Sequence, residues 1–418
     1  MAMVNPGVSF NETLLTSAAN NDVVTTPLFI GYSTMAAGTV AMQLHCVTSL
    51  TQAISLFGDS DMLAYGLRHF FDNGGLCCYV LSLGPPTAGD GFSRLQSLIQ
   101  TLKSAALQTA VAAERSVGLL LVPEMSALND ISSVPNPEVT ELWYQGWKAL
   151  LSLCEPGQQR FALLELPEVP DEAMMLTQRA FPAENCQNAA AWWPRLKTSY
   201  RMEKPNVDTR DSENVTSSYV VLSPLPAVAA AIQNCATENG VWKAPANIAL
   251  KNTLQPVRNI LLYPAVLNSN GVYSNLIRSF RAKGVRLWGC RTLLNDDSSP
   301  WRYIQTRLLA NSVEFQLRKL ARHYLFEPNN EQTWMKLRGQ IWTWLRQQWL
   351  AGAFYGTTEE EAFSLSIGLN DTMSPEDIDA GKMIMHIQLA LLAPAEFIDI
   401  QLTLDARLNT TTVASGGE

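Results

Sequence analysis

Five short apolar runs constrain this chain more than any other feature: Pro27 to Tyr32, Leu76 to Leu83, Val117 to Val122, Phe161 to Leu166 and Tyr219 to Leu222. Each is long enough for a strand, short for a helix, and nearly unbroken in apolar character, the pattern of strands covered on both faces. Helix-like stretches separate several of them. Leu50, Ile54 and Phe57 share one helical face, and Leu63, Leu67 and Phe70 share another before Asn73-Gly74-Gly75 stops it. This alternation predicts an α/β layer with a substantially parallel sheet. Cys77 and Cys78 fall inside the second run and read as small hydrophobes of a strand.

Between Glu168 and Ser218 the signal weakens. Pro167, Pro170, Pro182, Pro194 and Pro205, followed by the polar stretch Asp208 to Ser217, predict surface loops. Beyond about Pro256 the period changes. Leu309, Val313, Leu317, Leu320 and Tyr324 recur at three- and four-residue steps, then Trp334, Leu337, Ile341 and Trp344 do the same. Two long amphipathic helices joined by Glu327-Pro328-Asn329 follow. Asn329 with Gln332 reads as a capping box, and Gly352 stands where the second helix should stop. Trp334, Trp342, Trp344 and Trp349 are better read as core packing than as a stacking platform for bases or sugars. Finally Ile398, Ile400, Leu402 and Leu404 alternate with Asp399, Gln401, Thr403 and Asp405, a period of two that predicts a strand. At the other end, residues 1–24 contain no Lys or Arg. Their short alternation from Val8 to Phe10 after Pro6-Gly7 reads as an extended arm.

Motifs for chemistry are missing. The four histidines, His45, His69, His323 and His386, are scattered without Cys or carboxylate at ligand spacing, so no zinc signature exists. There is no G-x-S-x-G elbow, no Walker A run and no G-x-G-x-x-G after a strand. Glu359-Glu360-Glu361 after Thr357-Thr358 reads as the first turn of a helix, where carboxylates suit the dipole. Seven irregularly spaced cysteines fit free thiols in a reducing compartment. No catalytic, cofactor-binding or metal-binding residue is assigned.

A net charge of -8 argues against nucleic-acid or anionic-membrane partners, because counterion release needs a clustered basic surface. One local exception stands out. Residues 311–350 carry Arg318, Lys319, Arg322, Lys336, Arg338 and Arg346 against three carboxylates, which reads as a docking surface for an acidic partner. The longest apolar stretch, Met383 to Ala395, is interrupted by His386 and Gln388 and does not predict membrane insertion. The first cation is Arg68 and no apolar h-region precedes it, so synthesis in the cytoplasm without a signal peptide is expected.

Six strings, in order across about 160 residues, then give a family resemblance. They are Gly240-Val-Trp-Lys-Ala-Pro-Ala-Asn247, Leu287-Trp-Gly-Cys-Arg-Thr-Leu293, Trp301-Arg-Tyr-Ile304, Phe326-Glu-Pro-Asn-Asn330 with Trp334, Gly352-Ala-Phe-Tyr-Gly356 and Pro394-Ala-Glu-Phe-Ile398. Together they resemble the contractile tail sheath family, closest in character to sheath subunits of extracellular contractile injection systems such as the Photorhabdus virulence cassette and the antifeeding prophage. Cys290 replaces the usual Ala of the Trp-Gly-Ala-Arg-Thr string, and Ser223-Pro-Leu-Pro226 replaces the usual Pro-Pro-Ser-Gly approach.

The resemblance implies a non-enzymatic subunit that forms hexameric rings, stacks around an inner tube and contracts to drive that tube through a target envelope. Its expected partners are itself, sheath paralogues, the inner tube, and baseplate and terminal cap proteins, in a particle released outside the cell. The expected organisation is α/β, α+β overall. It comprises an N-terminal arm 1–24, an outer α/β domain 25–255, an inner sheath core domain 256–397 with two long helices and strands, and a C-terminal strand and arm 398–418. Val8, Phe10, Ile398, Ile400, Leu402 and Leu404 are the expected inter-subunit arm residues. Arg318, Lys319, Arg322, Lys336, Arg338 and Arg346 are the expected tube-facing residues. The alternatives are the sheath of a true contractile phage tail and an enzyme built on an α/β fold.

Overall fold

The computed structural model describes residues 23–392, apart from 35–40, 87, 129–134, 156–157, 205–215, 264–265, 267–270, 325–326 and 380. The expected arm residues Val8, Phe10, Ile398, Ile400, Leu402 and Leu404 lie outside the described residues.

The apolar runs form strands because only a sheet covered on both faces can bury every residue of such a run. β1 (Pro27–Gly31) is followed by β2 (Leu44–Val47), helices α1 (Leu50–Phe57) and α2 (Met62–Asp72), and β3 (Cys78–Ser82). Next come α3 (Gly91–Leu102), α4 (Ala105–Ala113), β4 (Leu119–Leu121), α5 (Met125–Leu128), α6 (Pro137–Ser152) and β5 (Phe161–Glu165). With β6 (Ala189–Trp193), β10 (Asn275–Phe280) and β11 (Gly284–Trp288) from later in the chain, the eight-stranded sheet is ordered β11-β10-β6-β5-β4-β1-β3-β2. Its middle, from β10 through β3, is parallel, and antiparallel β11 and β2 edge it. Alternate side chains serve opposite layers. Leu28, Ile30 and Leu120 pack with Leu95, Leu98, Trp143 and Trp147 on one face. Phe29, Leu119 and Leu121 pack with Phe57, Leu63, Leu67 and Phe70 on the other.

The stretch expected to be loops is largely structured. α7 (Pro170–Thr177), α8 (Ala183–Cys186), β6 (Ala189–Trp193) and the start of β7 (Leu196–Lys204) occupy it. β6 is an interior strand, buried at every position. Its Ala-Ala-Ala segment lacks the β-branched residues that mark a strand, yet small side chains suit a strand packed tightly under helices. Pro170 opens α7 and Pro182 precedes α8, positions where no amide donor is needed, while Pro194 lies between β6 and β7.

The run Tyr219 to Leu222 also departs from expectation. It belongs to β8 (Thr216–Leu222), which pairs antiparallel with β7 in a separate three-stranded sheet closed by β9 (Thr253–Pro256). Tyr219 is exposed and carries Lys197 and Arg201 over its ring. α9 (Leu225–Asn239) then covers the main sheet with Ala227, Ala229 and Ala230 fully buried. In α1 the inward residues are Ala53 and Phe57, while Ile54 is exposed, so the expected face is rotated by one position.

Strands β10 (Asn275–Phe280) and β11 (Gly284–Trp288) return to the main sheet, β10 alongside β6. The sheet therefore takes strands from both sides of position 256. Only afterwards does the chain build the helical unit of α10 (Ile304–Arg322), α11 (Glu331–Leu350), α12 (Glu359–Ala362), β12 (Phe363–Ser366), α13 (Pro375–Asp379) and β13 (His386–Leu389). β12 and β13 pair antiparallel. This unit has its own core of Leu309, Val313, Trp334, Leu337, Ile341, Leu345 and Phe363.

Two details of the helical hairpin differ from the sequence reading. Asn330, not Asn329, caps α11 by accepting from the Thr333 amide at 3.1 Å, while Asn329 Oδ1 accepts from Trp334 Nε1 at 2.7 Å. Leu345, not Trp344, takes the last fully buried position, because successive four-residue steps from Leu337 through Ile341 keep the stripe on one face. The helix ends as expected: Gly352 has φ of 91° and donates to Trp349 O.

Candidate functional site

The candidate site is the basic face of the α10–α11 hairpin. The stripe of Leu309 and Val313 on α10 and of Trp334, Leu337, Ile341 and Leu345 on α11 turns inward, which forces the cations between them outward. The six expected tube-facing residues divide into three groups.

Arg318, Lys319 and Arg322, on the last turns of α10, suit the negative end of the helix dipole. They line a groove of about 560 Å³ together with Phe315 of the same helix and with Arg115 and Arg160 from the α/β part of the chain. Among the described residues five cations and no carboxylate line it. Arg318 is held by Glu314 one turn back at 2.6 Å. Arg160 is 5% exposed and donates from Nη2 to Val111 O and Glu114 O, which fixes it in the floor of the groove. Arg115 and Arg160 went unnoticed in the sequence because they lie some 160–200 positions away from α10.

Lys336 and Arg338 are exposed on α11 and are not among the groove's lining residues. Arg346 is occupied within the chain: its Nε lies 2.8 Å from Glu359 Oε1, at the start of α12. Glu359-Glu360-Glu361 do form the first turn of that helix, with Thr358 Oγ1 accepting from the Glu361 amide.

The C-terminal ends of the parallel strands, where α/β proteins commonly bind ligands, hold two buried carboxyls that sequence reading did not single out. Glu124, just beyond β4, accepts from the Tyr32 amide at 3.1 Å, and Glu165 accepts from the Ser126 amide at 2.8 Å. Burial pushes Glu124 up to about 8 and Glu165 up to about 7. At 4% and 2% exposure they are sealed from solvent, so their geometry is that of staples between strand ends. His69 is likewise structural: its Nε2 lies 3.1 Å from Thr253 Oγ1 and 3.2 Å from Lys251 O, and burial lowers it to about 4. Among the described residues no three His, Cys, Asp or Glu side chains gather as a metal site. No described helix is long and apolar enough to cross a membrane.

No protein-family model and no curated protein sequence matches the chain. Solved structures do. A chain in the cryo-EM structure of the anti-feeding prophage (AFP) baseplate in contracted state is 60% identical, covering 97% of this chain and 100% of that one with a TM-score of 0.83. A chain of the PVC sheath complex of an extracellular contractile injection system, also contracted, is 28% identical over 98% and 99% of the two chains, TM-score 0.66. A chain of the contracted AFP helical sheath is 25% identical over 97% and 100%, TM-score 0.67. On this full-length similarity, the chain belongs to the sheath-like tail proteins of contractile injection systems.

Proposed function

We propose that this chain is a specialised sheath subunit forming a hexameric ring next to the baseplate of an extracellular contractile injection particle. The observation that carries the reading is a contrast: identity is 60% to one chain of the contracted AFP baseplate structure but 25% both to a chain of the AFP helical sheath and to a chain of the six-fold symmetrised AFP baseplate. A subunit of the long shaft would be expected to show the reverse. In this reading the ring surrounds an inner tube and hands the baseplate's movement to the stacked sheath paralogues, up to the terminal cap. Contraction needs no catalysed reaction, because the extended lattice is a metastable packing of the same chains. The exposed cations Lys336 and Arg338 on α11 are the part of the basic face assigned to an acidic tube. Segments 1–24 and 398–418 serve as arms that add strands to neighbours.

The test is gold labelling of the tagged chain in particles viewed by negative-stain microscopy. Label confined to the baseplate end supports the reading, and label along the whole shaft overturns the specialised ring. Particles with no label overturn the sheath role itself. Replacing Lys336 and Arg338 by Glu should weaken assembly on the tube most at low salt, where charge contacts are least screened.

A further inference from the structure

Resting on the sheath reading, we infer that the basic groove of one subunit receives the acidic turn 371–379 of a second copy of this chain. The groove is concave, and among the described residues of its lining the five cations, Arg115, Arg160, Arg318, Lys319 and Arg322, face no carboxylate. Arg115, Lys319 and Arg322 form no ion pair among the described residues, and the buried Nε of Arg160 has no hydrogen-bond acceptor. A cavity that holds this much positive charge close together selects an anionic occupant.

The chain carries the complementary surface itself. Residues 351–381 contain seven carboxylates and no Lys, Arg or His. Four of them, Asp371, Glu376, Asp377 and Asp379, fall within nine residues around α13, a short helix with no buried residue. Asp377 is held by Lys382 at 3.4 Å, which leaves Asp371, Glu376 and Asp379 exposed and without an ion pair among the described residues. The exposed acidic turn therefore matches the basic groove in sign.

Symmetry then decides the kind of contact. A two-fold contact that set groove on groove would place cations against cations and is opposed by repulsion. Groove against acidic turn joins two different surfaces, and made once per pair it is heterologous. In such a pair one subunit keeps a free turn and the other a free groove, so the contact repeats head to tail and closes a ring when its rotation permits.

The experiment is a charge swap in particles. Lys319→Glu with Arg322→Glu reverses the groove at exposed positions, and Glu376→Lys with Asp379→Lys reverses the turn. Either pair alone should lower the chain's content per particle about tenfold, and all four changes in one chain should restore it to within about twofold. Both pairs leave the cores intact, which a thermal melt of each purified variant verifies. Normal incorporation of each reversed pair would overturn the contact. So would a groove-reversed loss that reversal of the turn does not restore, which would place another acidic protein, such as the tube, in the groove. Absence of the wild-type chain from particles would instead overturn the sheath reading, and this contact with it.

Discussion

Gly31, the last residue of β1, lies so close to the carboxyl group of Glu124 that a Cβ added there would stand 2.8 Å from Oε1 and 3.0 Å from Cδ. The other carboxyl oxygen is fixed by the amide of Tyr32. Glu124 is thus buried between the ends of β1 and β4 and tied there by that bond. Gly31→Ala is expected to destabilise the fold by about 1–3 kcal/mol through overpacking, read from the midpoint of urea unfolding.

The same carboxyl makes stability depend on pH. In the folded chain Glu124 titrates at about 8 and Glu165 at about 7, against an ordinary 4.5, because burial disfavours their charged forms. The folded state therefore binds protons that the unfolded state releases. Stability is fully present below 4.5 and declines as pH rises through 7 and 8. The melting temperature should fall from pH ~5 to ~8 and level off above that, and Glu124→Gln should flatten that slope. An unchanged slope in the variant would remove Glu124 from this role.

Two glycine-to-alanine changes should have opposite signs. A Cβ at Gly118 would run into the backbone carbonyl of Val24, which has no flexible end to retreat. Gly118→Ala should cost about 3 kcal/mol. Gly339 lies within α11, and nothing stands within 4 Å of a Cβ there. Gly339→Ala should stabilise the helical unit by about 0.5–1 kcal/mol by removing helix-opposing backbone freedom, seen as a higher unfolding midpoint.

Polar contacts on the hairpin should rank by burial. Asn330 accepts from a partly buried amide at the start of α11, so Asn330→Ala should cost about 1 kcal/mol. The Arg346–Glu359 pair has an Arg side chain 58% exposed, and breaking it should cost no more than about 1 kcal/mol and less in high salt.

The sequence announced those elements whose burial imposes a periodic pattern on consecutive residues. β1, β3, β4 and β5 are unbroken apolar runs, and the stripe from Leu309 through Ile341 repeats for several turns, so both were legible. β6 was not, because Ala189, Ala190 and Ala191 carry no β-branched side chain and stand among prolines that mimic a loop. The run ending at Leu222 was seen, but its partner was not: apolar content says that a strand is covered, not which sheet covers it. The basic face was legible as local charge. Its division was not, because the groove wall at Arg115 and Arg160 and the Glu359 that occupies Arg346 come from other parts of the chain.

The return of β10 and β11 to the edge of the main sheet also has a meaning for synthesis. β6 pairs with β10, so a nascent chain stopped near residue 255 leaves β6, with Trp192 and Trp193, as an unpaired edge. The sheet is completed only when residues up to Trp288 have emerged from the ribosome. A gene fragment cut between the α/β layers and the helical unit should therefore be placed after Trp288. An earlier cut would yield an aggregating product, although the sequence shows its change of period some thirty residues before that point.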